Sequence, residues 1–248
     1  TGALTNGWKM PFACISTFGI GSFASGTTRS EQFLRAGTAT TPKAAIGAIG
    51  TATTGTHTRY NNCYTFGVFW GMLYNGAHEM GTAHAWGKLN LFLNYQATQP
   101  NWVTIFSYWN NLMGDPACDI WTAVPAPVIV SHPMTLPVGA NSFAVTVIEG
   151  RQPDAGALVS LFRTAAGGTL QATGTTDDQG QCELAVPPAE TGTWKLTVTK
   201  HNRQPYLADL PVIAESVFVG YQASIIDDDD LGESQGDGDG EVNPGETI

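Results

Sequence analysis

Through the first half of the chain, short apolar runs alternate with stretches whose apolar positions recur at helical spacing. Met10-Pro11-Phe12-Ala13-Cys14-Ile15 predicts a buried strand, and Ala44 to Ile49 predicts another. Between them, Ser30 to Gly37 predicts a helix with Ser30 as its cap and Gly37 as its stop. Tyr64 to Asn75 and Ala83 to Tyr95 predict two further helices, and Trp102 to Leu112 continues a mixed pattern. Strands alternating with helices argue for an α/β fold with a mostly parallel sheet.

The pattern changes near residue 124, after the proline-punctuated Val124-Pro125-Ala126-Pro127. Val128–Val130, Phe143–Ile148, Leu158–Phe162, Leu170–Thr173, Gln181–Val186 and Trp194–Thr199 are short β-type runs separated by turn residues. Such spacing predicts an all-β sandwich, immunoglobulin-like in architecture, over residues 124–215. Residues 216–248 turn acidic and glycine-rich, as a linker or the opening of a further domain would.

Composition narrows the field. The 248 residues suffice for two ordinary domains with sizeable cores. A net charge of −10 with only 11 Lys plus Arg argues against a nucleic-acid partner. No apolar run approaches the length of a membrane-spanning helix. The four cysteines do not make a disulfide scaffold, and abundant Thr and Gly with sparse charge suit an extracellular or bacterial cell-surface protein. Both ends read as cut from a longer chain.

Cys14 ends an apolar strand just before a Gly/Ser-rich loop and a helix. That placement projects a thiol into the crevice where α/β proteins bind ligands, near amides that favour thiolate and oxyanion. Local sequence alone favours a buried structural cysteine. The wider order of motifs reverses this. Lys9-Met10-Pro11-Phe12-Ala13-Cys14, the loop to Phe23 and Glu31-Gln32-Phe33-Leu34-Arg35-Ala36 resemble the nucleophile segment of gingipain-type cysteine peptidases. The similarity continues through Ala45–Gly50, Tyr64–Phe69, Leu112-Met113-Gly114-Asp115-Pro116 and Ile120-Trp121-Thr122, with a β-sandwich following.

That resemblance implies a partial caspase-like domain over residues 1–123, with Cys14 as nucleophile of a Cys–His dyad acting on a protein or peptide substrate. Catalysis of this type needs no cofactor. The family's His lies upstream of its Cys. Thirteen residues precede Cys14 and none is His, so the base is expected on an absent upstream segment or a companion chain from the same precursor. The fragment alone is then expected to be inactive. The loop Ile15–Gly21 departs from the Asn-Gly or Thr-Gly common soon after the family's Cys. By family position, His57 and Arg59 fall on a loop lining the substrate pocket. The alternative is a non-catalytic extracellular scaffold derived from such a peptidase.

Three other signals stand in the sequence. His78 and His84 flank Glu79, but a spacing of six puts them on different helix faces, which argues against zinc. Gly19-Ile20-Gly21-Ser22-Phe23-Ala24 matches a dinucleotide fingerprint yet lacks the acidic residue that holds a ribose. In the tail, Asp237, Asp239, Glu241 and Glu246 approximate a calcium loop.

Overall fold

The computed structural model describes residues 3–24, 26–163, 169–186, 188, 190–214, 229, 231–232, 234–236 and 238. The chain divides into two compact units, Thr1–Ala126 and Pro127–Ile248.

In the first unit, β1 (Phe12–Ile15), α1 (Arg29–Leu34) and β2 (Gly47–Thr51) form a β-α-β unit whose strands pair in parallel, Cys14 opposite Ile49. Three helices follow, α2 (Thr58–Tyr74), α3 (Met80–Tyr95) and α4 (Pro100–Trp109). The chain then enters β3 (Asn110–Met113), which pairs antiparallel with β2. The sheet, ordered β1-β2-β3, is therefore mixed, not mostly parallel. β1 and β2 are joined by a crossover helix, as parallel neighbours require, whereas three helices separate β2 from β3. Tyr64, Val68, Leu91, Phe106 and Ile49 are almost wholly buried and form the core between these helices and the sheet.

Ser30 is not the cap of α1. The N-cap is Thr28, and Ser30 lies inside the first turn, buried, donating its hydroxyl to Ile20 O at 2.6 Å. Its polarity, read from the sequence as a start signal, serves the loop after β1 instead. The first turn of α3 is also held from outside. Met80 and Gly81 amides donate to Cys118 O and Pro116 O, which ties the Gly-Asp-Pro segment to the helix start.

The second unit is all-β. One sheet holds β4 (Ile129–Ser131), β6 (Ser142–Glu149) and β10 (Gln181–Ala185), with β7 (Gln152–Pro153) paired to β6. The other runs β5-β12-β11-β8-β9, comprising β5 (Leu136–Pro137), β8 (Leu158–Arg163), β9 (Thr169–Thr175), β11 (Gly192–Thr199) and β12 (Tyr206–Ile213). Alternate residues of both sheets point into one core. Phe143, Val145 and Val147 of β6 enter it from one side, and Trp194, Leu196 and Val198 of β11 from the other. Beside this core Asp154 is buried and paired, with Lys200 Nζ on one carboxylate oxygen and Arg203 Nε at 2.9 Å from the other.

Candidate active site

The site is built where β1 gives way to its loop. Gly19 and Gly21 amides donate to Thr53 O and Thr51 O, pinning the loop along the end of β2. Gly21 lies so close to Gly50 that an added Cβ would sit 2.1 Å from Gly50 O. Only glycine permits that approach, and the loop's path away from Cys14 depends on it.

Helix α2 supplies the opposite wall. Asn61, Tyr64, Thr65 and Val68 share its inward face, by the three- and four-residue spacing of a helix. The Thr65 hydroxyl stands 2.6 Å from Ser16 Oγ and accepts from Cys14 Sγ at 3.9 Å. One turn earlier, Asn61 Nδ2 donates to Ser16 O at 3.2 Å and to Thr56 Oγ1 at 2.5 Å. Asn61 is 4% exposed, and its Oδ1 is buried without a hydrogen-bond partner among the described residues. Burial pushes the Cys14 thiol above its ordinary value, while the Thr65 and Ser16 hydroxyls act in the other direction.

Behind this contact the Tyr64 hydroxyl is hydrogen-bonded to His84 Nδ1 of α3. Burial, and then the charge of a Cys14 thiolate, push the Tyr64 phenol strongly upward. Burial and then Lys88 push His84 down to about 4, so its imidazole is neutral at pH 7. His84 thus serves as a partner for Tyr64 and carries no positive charge for the thiol.

His57 caps α2, its Nδ1 accepting from the Arg59 amide at 3.2 Å, and is exposed. Its loop is joined to Ser16, just after β1, through the Thr56–Asn61–Ser16 hydrogen bonds. Arg59 points elsewhere. Its guanidinium lies 6.0 Å from the Tyr60 and Tyr95 ring centres, and it lines an open groove of about 520 Å³ with Asn62, Phe66, Asn90 and Tyr95. Cys14 is not among the residues of that groove. Asp237, Asp239, Glu241 and Glu246 lie outside the described residues.

Ser16, Asn61, Thr65 and the Tyr64–His84 pair were not anticipated from sequence. One signal was available: at 61 and 65 the helical period of α2 places two polar side chains on an otherwise apolar face. The hydroxyl of Ser16 and the pairing of Tyr64 with His84 leave no such pattern.

The model of Peptidase family C25 matches residues 1–121. The first unit thus matches peptidase family C25, the gingipain-type cysteine peptidases. Its fold agrees. The crystal structure of the Arg-specific cysteine proteinase gingipain R superposes with a TM-score of 0.66 at 19% identity, over 86% of this chain and 48% of that one. The complex of the Porphyromonas gingivalis RgpB pro- and mature domains gives 0.63 at 20% identity, over 86% and 48%. A third structure, described only as a protease, gives 0.59 at 16%, over 82% and 47%. The chain spans about half the length of these solved proteins. No curated protein matches it. Among the described residues, no helix is long and apolar enough to cross a membrane.

Proposed function

We propose that this chain carries the nucleophile of a secreted cysteine endopeptidase, with Cys14 as the attacking group. The supporting observation is the position of Cys14 near the end of β1, next to a loop held against β2 by the Gly21–Gly50 contact. In this reading the Cys14 thiolate attacks a peptide carbonyl, the C–N bond breaks as the amine leaves with a proton, and water hydrolyses the thioester. Because burial raises the thiol, a base must take its proton. We assign that role to an imidazole on a segment outside this chain, upstream or on a companion chain. The His57 loop, fastened to Ser16, contacts the substrate, and Arg59 extends that surface along α2. The second unit is taken as an immunoglobulin-like module of a protein at the cell surface or outside the cell, and the acidic tail takes calcium.

The test is to treat the full chain with peptidyl thiol-reactive inhibitors near neutral pH and map the adducts by mass spectrometry. Peptide-dependent labelling of Cys14, faster than that of Cys63 and Cys118, is the expected result. Equal labelling of the three would overturn the reading. It would favour a second one, a non-catalytic scaffold, to which a half-buried thiol held protonated by its surroundings is suited.

A further inference from the structure

We propose that Thr65 and Ser16 act as a relay of two hydroxyls that donates to Cys14 Sγ as it ionises, so that α2 supplies the group stabilising the thiolate. The proposal rests on Cys14 being the nucleophile, but its geometry stands separately. Thr65 Oγ1 is the point where Cys14 Sγ, at 3.9 Å, and Ser16 Oγ, at 2.6 Å, meet. Each hydroxyl has one proton and two lone pairs. With a neutral thiol, Cys14 S–H donates to Thr65 Oγ1. Once the proton has gone to an external base, Thr65 turns its own O–H to the sulfur anion, and Ser16 O–H donates to Thr65 Oγ1. No bond of either hydroxyl is broken, and the chain of donors ends on the charge, where a hydrogen bond is strongest.

The surroundings are arranged to keep the pair in place. Asn61 holds Ser16 by its carbonyl from one turn before Thr65, so two residues of one helix face fix both ends of the relay. That hold leaves Asn61 Oδ1 buried without a partner among the described residues, a cost that calls for an explanation such as a role in a site. The titratable group that senses a charge on Cys14 is Tyr64 of α2, whose hydroxyl is bonded to His84 of α3 beside Lys88. Tyr64 stays protonated well above neutrality and His84 stays uncharged above about 4, so neither changes charge across neutral pH.

The test is the pH dependence of Cys14 alkylation by iodoacetamide in the full chain, followed site by site by mass spectrometry. Thr65→Val should move the midpoint up by about one pH unit, making neutral-pH alkylation about tenfold slower. Ser16→Ala should move it less, and Thr65→Ser should restore it. Cys63, in the same samples, should not change. An unmoved midpoint in Thr65→Val, with Cys63 reacting as in the parent, would overturn the proposal. If Thr65→Val fails to fold, Ser16→Ala decides by the same readout. Iodoacetamide needs no peptidase activity. A shifted midpoint together with no peptide-directed labelling would therefore keep the relay and remove the peptidase reading.

Discussion

Each unit carries a cysteine on a β-strand against its core, and the two thiols are in different chemical positions. Cys182 of β10 is buried among Val145, Leu184 and other side chains of the sandwich, and its thiol is raised by burial and then by Asp177. Cys14 of β1 is likewise raised by burial, but two hydroxyls oppose the shift. The strands are alike; what faces them is not. Across from β10 a second sheet offers alternating apolar side chains, whereas across from β1 a helix brings Asn61 and Thr65 onto its inward face. In the proposed relay, that polar pair separates a thiol given donors for its anion from one that merely fills space.

The contrast can be broken first at the sandwich. Phe143→Ala removes a ring that is 1% exposed and shared by both sheets, and should cost about 4 kcal/mol, read as a lower urea midpoint. A loss below about 1 kcal/mol would mean the sheets do not share that core. Next comes the ion cluster. Asp154→Ala leaves Lys200 and Arg203 without their buried carboxylate and should cost about 3 kcal/mol. Burial alone would raise the Asp154 carboxyl, yet Lys200 and Arg203 hold it below its ordinary value. Its contribution is thus present above the ordinary carboxylate range and lost as pH falls through the lower folded-state value. Asp154→Asn should flatten the acid limb of stability, measured by urea melts from pH 6 downward. An unchanged limb would mean that Asp154 does not set it.

A smaller effect sharpens the other side of the comparison. Gly21→Ala forces a Cβ into Gly50 backbone and should cost about 2 kcal/mol. Because Gly21 directs the loop after Cys14, the same substitution should alter the iodoacetamide rate at Cys14 while Cys182 stays protected. Equal rates in variant and parent would separate the loop from the thiol's environment.

Much of this architecture was legible in the sequence, because period-2 and period-3.6 patterns report which face is buried. β1, α3, β6, β8, β10 and β11 follow their apolar runs to within a few residues, while α2 begins six residues before its predicted start at Tyr64. The misses have physical causes. β5 and β7 are two-residue pairings that include Pro137 and Pro153, too short to show a period. β12 contains Pro211, a residue that usually argues against a strand, tolerated here within its pairing to β11. In the site, Cys14 was found from its place at a strand end and from family order. Thr65 lay in a helix predicted from its apolar positions, and Asn61 lay before that helix's predicted start. His57 was read as a pocket residue, and in the structure its ring nitrogen also performs the capping usually given to Ser or Asp.

The smallest expected effect concerns the segment that leads into β2. Ala44 is buried with φ at 73°, a left-handed conformation that costs an L-residue roughly 1–2 kcal/mol. It persists because Asn6 clasps both of its backbone groups, Nδ2 donating to Ala44 O at 2.9 Å and Oδ1 accepting from Ala44 N at 2.9 Å. Ala44→Gly relieves the strain but gives the unfolded chain more freedom, an opposing loss of about 0.4–1 kcal/mol. The net should be a stabilisation of a few tenths of a kcal/mol, up to about 1. Asn6→Ala should have the opposite sign in the parent, since it leaves the strained residue without its clasp. In the Ala44→Gly background it should cost less, because glycine holds the conformation without help. A double-mutant cycle on urea midpoints reads the difference directly. Additive costs would show that the clasp serves the Asn6 turn alone and does not hold Ala44 in its left-handed state.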